Sequence, residues 1–396
     1  MLDNEKVRTA IREEGLSAWL FHNVWHRDEI ADLVLGVSPD KKNTRPWVCV
    51  LSPERPPVKV VHAIEAGILQ HLPGETIRYS SREEFRAALK RALPAAGRVA
   101  ADYSPNIPVG SFLDHGTALL LRSLGVDLVP AEGLVARYLG GLDDAGRASH
   151  ETAGRVLYAT VADAWDRLCA AIGEGKAVTE GDVSGWIAEA LARAGLVSDG
   201  PPVVGTGVHT ADPHYGPEGP GAPITAGGLV QFDVWARSPS PDGVYADISW
   251  VGVLSRKPSA EHERLFAAVR DARDEAIRFI EGRLAARQRV SGADADRAAR
   301  AVLEQRGLSA QVRHRTGHAI GGRVHGYGVN LDCVEFPDER ALTDGACFSV
   351  EPGVYGTDAG MRTEVDCIIH QGRLTVTGGD RQAELLTLSG THVPDR

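Results

Sequence analysis

At 396 residues the chain is long for a single hydrophobic core, so two domains are expected. Its 43% hydrophobic and 24% charged composition is that of a globular protein, and a net charge of −10 argues against nucleic acid, which needs a basic footprint. No apolar run is long enough to span a bilayer, and the charged opening MLDNEKVRTAIREEG lacks a signal-peptide core, so a cytoplasmic protein with no membrane contact is expected. Cys49, Cys169, Cys333, Cys347 and Cys367 are scattered without CxxC spacing and read as reduced, mostly buried thiols, Cys367 included.

From the N-terminus, NEKVRTAIREEG has helical spacing, SAWLFHN and PWVCVLS read as strands, HAIEAGILQHL and FRAALKRAL as helices, and GRVAADYS opens a further strand. This is an α/β layer without a GxGxxG fingerprint or an acid–histidine cluster. The segment AEGLVARYLGGLDDAGRASHE marks the expected boundary, near residues 135–147, which gives one domain over 1–140 and another over 147–396. Past it, HETAGRVLYATVADAWDRLCAAI predicts a long helix. VTEGDVSGWIAEALARAG predicts a second, with Thr179 as N-cap and Asp182 three residues on. PPVVGTGV follows as a strand, then a Gly/Pro/His-rich loop and a strand pair. Two more helices, SAEHERLFAAVRDARDEAIRFIEGRL and ADADRAARAVLEQRG, precede another strand pair.

Each strand pair carries two acids. Asp233 and Asp247 lie in LVQFDVWARSPSPDGVYADISWVGVL, and Glu351 and Glu364 in CFSVEPGVYGTDAGMRTEVDCII. Both read apolar run, acid, turn, acid, apolar run, the pattern of a β-hairpin with acids on facing strands. Such acids are expensive to bury unless paired or metal-bound. Helix, helix, acid hairpin therefore occurs twice, and APITAGGLVQFD echoes RALTDGACFSVE, which points to an internal duplication. HRTGHAIGGRVHGYG adds three histidines: His318 as the best nitrogen ligand, His325 as a donor to substrate, His314 as scaffold. In DPHYGP, His214 would be ordinary surface but for this company. Carboxylates with one imidazole suit Mn²⁺, Zn²⁺, Co²⁺ or Fe²⁺. Two such cations sharing carboxylates would acidify a bridging water and polarise a carbonyl, which is hydrolytic chemistry with an amide as its natural target.

In chain order, PHY at Pro213–Tyr215, the Asp233/Asp247 pair, GHAIG at Gly317–Gly321, VH at Val324–His325, EPGVY at Glu351–Tyr355 and GMRTE at Gly360–Glu364 resemble the pita-bread metallopeptidase family. That family includes methionine aminopeptidase, aminopeptidase P and prolidase, and the N-terminal α/β part is similar to the creatinase-type domain of its proline-directed branch. The resemblance implies an α/β creatinase-like domain followed by an α+β pita-bread catalytic domain with pseudo-twofold duplication. It implies two divalent metal ions, Mn²⁺ first, with Co²⁺ or Zn²⁺ as alternatives. Asp233 would hold one, His318 and Glu351 the other, with Asp247 and Glu364 bridging. Glu351 would also accept and pass the proton of the bridging water, which as hydroxide attacks the peptide. His214 and His325 would hold the scissile carbonyl, and Arg362 would position Glu364 or a substrate carboxylate.

The implied activity is an exopeptidase acting on small peptides with proline second, Xaa-Pro dipeptides foremost, in a homodimer. Asn23, Trp25, His26, Arg27, Arg45 and Trp47 are candidate walls from the N-terminal domain, closing the site against longer peptides. Aminopeptidase P, a metal-free creatinase-like amidinohydrolase and a non-catalytic pita-bread binding module are the alternatives. Three departures from the family pattern stand out: a longer first hairpin at SPSPDG, Trp250 where relatives carry arginine, which would alter a pocket wall or an interface, and Asp366 one place further along.

Overall fold

The computed structural model describes residues 4–216 and 219–388, so the expected domain end at 396 lies outside the described residues. It divides into two compact units, Met1–Leu139 and Gly140–Arg396. The first unit contains α1 (Asn4–Glu13), β1 (Ala18–Asn23), α2 (Glu29–Leu35), β2 (Trp47–Leu51), β3 (Val58–His62), β4 (Glu75–Tyr79), α3 (Arg82–Ala92), β5 (Arg98–Ala101), α4 (His115–Ser123), β6 (Asp127–Pro130) and α5 (Glu132–Leu139). Its sheet runs β4-β3-β2-β1-β5-β6. The β1–β2–β3 part is antiparallel and the flanks are parallel. β1 and β2 are buried along their whole length, as expected for apolar runs covered on both faces. Side chains set the helix starts: Ser81 and Glu84 form a reciprocal capping box on α3, and Asp28 and Asp114 cap α2 and α4.

Two expectations fail in this unit. HAIEAGILQHL is not an α-helix: Ala63–Glu65 makes one 3-10 turn, followed by further i→i+3 backbone bonds from Ile68, Gln70 and Leu72. Gly67 in the middle of so short a segment lowers its helix propensity, and the tighter turns win. The segment expected to hold the boundary contains α5, with Leu134 and Val135 buried, and the division between the units falls after Leu139. Asn23 and Trp47 are core residues rather than walls. The Asn23 amide donates to the Asp28 carbonyl and to Asp32 Oδ1, at 2.8 and 3.0 Å. His26 bonds Asp32 and the Lys41 carbonyl, both at 2.7 Å, whereas Trp25, Arg27 and Arg45 are exposed.

The second unit contains α6 (Asp144–Gly173), β7 (Val178–Thr179), α7 (Glu180–Arg193), β8 (Val203–Thr206), β9 (Pro223–Ile224), β10 (Leu229–Ala236), β11 (Ala246–Val253), α8 (Ala260–Ala285), α9 (Gly292–Gln305), β12 (Cys347–Val350), β13 (Gly353–Tyr355), β14 (Gly360–Arg362), β15 (Val365–His370) and β16 (Arg373–Val376). A helix pair followed by an antiparallel sheet occurs twice: α6 and α7 before β11-β10-β8, α8 and α9 before β12-β15-β16. This is the duplicated pita-bread architecture. Thr179 and Asp182 form the capping box on α7, and Ser291 with Asp294 form its counterpart on α9.

One core cluster of this unit joins α6 and α7 to the β10–β11 face through Leu157, Trp165, Leu168, Ile187, Phe232 and Ile248. Trp250 belongs to that core, not to a pocket wall: it is 1% exposed and meets Tyr158 edge to face at 5.7 Å. Burying a ring of this size contributes about 2–3 kcal/mol. All five cysteines are free, and Cys49, Cys347 and Cys367 are buried. Among the described residues no helix is long and apolar enough to cross a membrane.

Candidate metal centre

Hairpin geometry aims the first two acids. β10 and β11 pair through Leu229–Val253 to Ala236–Ala246, with Asp233 opposite Ser249 and Asp247 opposite Trp235. Asp233 and Asp247 are thus diagonal neighbours on one face, since side chains of like parity share a face. The long tip at SPSPDG leaves this register intact.

The second pair of acids sits outside any ladder. β12 pairs with β15 as far as Val350–Val365, and β13 pairs with β14 from Gly353–Arg362. Glu351 and Glu364 fall in the break between the two, where Pro352 has no N–H to continue a ladder. Their backbone N–H groups bond elsewhere: Glu351 N donates to the Thr316 carbonyl at 2.7 Å, Glu364 N to the Ser249 carbonyl at 2.9 Å. A continuous hairpin was expected here, and the break is a correction.

His318 arrives on the segment bonded along β12. Its N–H donates to Ser349 Oγ at 3.0 Å, and its carbonyl accepts from Ser349 N at 2.9 Å. Gly317 permits this approach, because a Cβ there would lie 2.0 Å from the Ser349 carbonyl oxygen. His318 Nε2 then lies 3.5 Å from both Asp247 Oδ2 and Glu351 Oε1. Asp247, His318 and Glu364 each present a ligand atom within 4.8 Å of the others.

Asp233 is turned toward Arg362, whose Nη2 donates to its Oδ2 at 2.5 Å. Arg362 therefore pairs with Asp233, not with Glu364. Its Nε donates to Ser249 Oγ at 2.9 Å, and Nη1 reaches the Pro213 carbonyl at 3.3 Å. Sequence reading missed Ser249. Its hydroxyl donates to Glu364 Oε2 at 2.8 Å and lies 3.3 Å from Asp233 Oδ1, so one small side chain links both acid pairs.

The five predicted ligands, with His214, His325, His314 and Arg362, line one cavity of about 600 Å³. His325 stands edge-on to His318, ring centroids 4.3 Å apart. His314 bonds Tyr355 Oη at 2.7 Å, in keeping with a scaffold role. His214 is exposed on a loop fixed by Glu180, another residue the sequence did not flag. Fully buried at the start of α7, Glu180 accepts from Thr206 N, His209 Nδ1, Tyr215 Oη and Ala222 N at 2.6–2.9 Å. Asp366 lies behind Asp247 and accepts its N–H at 2.7 Å.

Electrostatics identify what the site can hold. Burial first, then the neighbouring carboxylates, push Asp247 and Glu364 well above the usual carboxylate range. Burial would raise Glu351 too, but the charges of His318, His314 and Arg362 outweigh it and hold Glu351 below its ordinary value. Burial lowers His318, which favours the neutral imidazole a metal requires. Burial also takes His325 down to about 4, helped by His318 and Arg315. Asp247 Oδ1 and Glu364 Oε1 are buried with no hydrogen-bond partner. Two orphaned carboxylate oxygens on acids grouped with one imidazole are a pairing deficit that a divalent cation removes. The donor set fits such ions.

The model of metallopeptidase family M24 matches residues 148–371. Over 189 residues the chain is 30% identical to an Xaa-Pro dipeptidase of Lactobacillus helveticus, covering 47% of each protein. Over 177 residues it is 31% identical to a probable dipeptidase PepE of Mycobacterium tuberculosis (strain ATCC 25618 / H37Rv), covering 45% of this chain and 43% of the relative. The alignments thus span about half the length of the curated relatives. Among solved structures, dipeptidase PepE from Mycobacterium ulcerans superposes with a TM-score of 0.70 at 23% identity, over 97% of this chain and 96% of that one. An Xaa-Pro dipeptidase from Bacillus anthracis gives 0.62 at 19%, over 97% and 98%, so the fold is shared end to end. With its acids and His318 gathered at one cavity and more than half its length matched, this chain belongs to metallopeptidase family M24, whose chemistry rests on divalent metal ions.

Proposed function

We propose that this protein is a dinuclear metal-dependent exopeptidase that hydrolyses the Xaa-Pro bond, with Xaa-Pro dipeptides as its main substrates. The observation that carries this reading is the meeting of Asp247, His318 and Glu364 in one cavity, with two buried carboxylate oxygens left unpartnered. The names of the matched relatives, Xaa-Pro dipeptidase and dipeptidase PepE, support the substrate class.

In this reading Asp233, Asp247, His318, Glu351 and Glu364 would hold two divalent cations. Mn²⁺ is the proposed ion, within an oxygen-rich set that also takes Co²⁺ or Zn²⁺. Bound cations supply Lewis acidity and an acidified water. The chain's own groups do the rest. Glu351, held ionised with the Arg362 guanidinium 3.8 Å away, takes the proton of the attacking water and returns it to the proline nitrogen as the bond breaks. His325, neutral near pH 7, donates to the scissile carbonyl oxygen as charge develops there, and His214 does so from the opposite loop. Arg362 donates to Asp233 at 2.5 Å and to Ser249, Tyr355 and the Pro213 carbonyl, so its role in this reading is to position the Asp233 ligand. Cytoplasmic location and a homodimer complete the proposal.

The test is hydrolysis of Xaa-Pro against Xaa-Pro-Yaa by metal-free protein reconstituted separately with Mn²⁺, Co²⁺ and Zn²⁺. Fast dipeptide turnover that EDTA abolishes is the expected result. Faster tripeptide cleavage would convert the reading to an aminopeptidase, and EDTA-resistant activity would overturn the metal mechanism.

A further inference from the structure

A dipeptide differs from every longer peptide in one feature, a free carboxylate one residue beyond the scissile bond. An enzyme that prefers dipeptides needs a cation placed to read it. Two arginines line the cavity, Arg315 and Arg362. Arg362 already spends four of its five N–H donors inside the protein, on Asp233, Ser249, Tyr355 and the Pro213 carbonyl, and its charge is matched by Asp233.

Arg315 is different. It is half-buried, lies three residues before His318, and among the described residues its guanidinium makes no hydrogen bond or ion pair. An arginine beside a carboxylate-rich centre without a carboxylate partner is unusual, since a planar guanidinium normally finds bidentate acceptors. Its side chain lines the same cavity as His318, His325 and Glu351, the groups proposed to surround the scissile bond. The backbone around it is fixed: the Arg315 carbonyl accepts from His314 Nδ1 at 2.7 Å, and Thr316 on its other side is anchored to Asp296 Oδ1 at 2.5 Å. A flexible arm thus extends from a rigid base into the site.

We infer that Arg315 binds the C-terminal carboxylate of the substrate and is the residue that makes dipeptides the preferred length. This rests on the Xaa-Pro reading above. It names a specificity-determining residue outside the set of proposed metal ligands.

The experiment compares kcat/KM for Ala-Pro with that for Ala-Pro amide, which keeps the scissile bond and removes the terminal charge. Wild-type enzyme is expected to favour the free acid by about 100-fold, the scale of a charge-assisted hydrogen bond. In R315Q that ratio falls toward 1, with the change carried by KM for the free acid, and R315K recovers part of it. Metal content measured in parallel shows that each variant retains its site. R315Q that binds metal yet keeps the wild-type ratio would overturn the assignment while leaving the dipeptidase reading intact. A wild-type ratio near 1 would also overturn it, without need of any variant. Wild-type protein that cleaves neither substrate but cleaves Ala-Pro-Yaa would overturn both.

Discussion

The two acid hairpins present carboxylates to the same cavity by different means. In β10–β11 the ladder is unbroken, and Asp233 and Asp247 are placed by strand parity alone. In the second, the ladder stops at Pro352, and Glu351 and Glu364 are placed by bonds to other segments: Thr316 beside His318, and Ser249 on β11. An intact ladder gives a rigid surface and uses up its own backbone donors. A broken ladder frees donors that stitch the two halves of the unit together. Ser249 stands at the crossing, touching acids from both hairpins.

The sharpest way to break the comparison is at the ligands themselves. Asp247→Asn or Glu364→Gln each removes an acid from the tight group with His318, and activity should fall by at least ~10³-fold, the scale of losing several kcal/mol of charge stabilisation. Elemental analysis should show metal content reduced in both. A variant with full metal content and full activity would remove that acid from the centre.

Ser249→Ala tests the crossing point. Loss of a hydroxyl that supports two ligands should weaken metal affinity by about 10–100-fold, with little change in the fold. Titration of metal-free protein reads this directly, and unchanged affinity would mean that the hairpins are held together without Ser249.

pH separates the metal-free from the loaded state. Asp247 and Glu364 have folded-state pKa values raised above their unfolded ones, so they stabilise the metal-free fold at pH below about 4 and withdraw that stability as pH rises through the raised values. Cations bind the deprotonated forms. The gain in Tm on adding Mn²⁺ should therefore grow from pH 5.5 to pH 8, by about 2–4 °C for each added kcal/mol. A gain that shrinks with pH would contradict the assignment of these two acids as ligands.

The smallest effect is expected at the tip of the first hairpin. Deleting Pro239, Ser240 and Pro241 changes a closed loop whose length matters only logarithmically, so stability should move by no more than about 1 kcal/mol. A larger drop, with loss of metal, would show that the tip and not strand parity sets the Asp233/Asp247 register.

Much of this site is legible in the sequence because its parts are local. Acid spacing, the apolar flanks of β10 and β11, the glycine beside His318 and the capping box at Thr179 each follow from residues a few places apart. What escapes is long-range. Ser249 looks like an ordinary strand serine until Glu364 and Arg362 arrive from far along the chain. Glu180 looks like an exposed helix-start acid until the loop around His214 folds over it. Arg362 pairs with an acid from the other hairpin, and Trp250 is turned into the core by a parity that its neighbours share. HAIEAGILQHL fails for a local reason, a glycine tipping a short helix pattern into tighter turns.

The central claim is that five side chains from two differently built hairpins and one glycine-backed histidine hold two cations. Anomalous diffraction from crystals grown with Mn²⁺ tests it most directly. The account predicts two peaks in the cavity, both contacted by Asp247 and Glu364, one by Asp233 and the other by His318 and Glu351. A cavity without a peak, or peaks that leave Asp247 and Glu364 uncontacted, would contradict it.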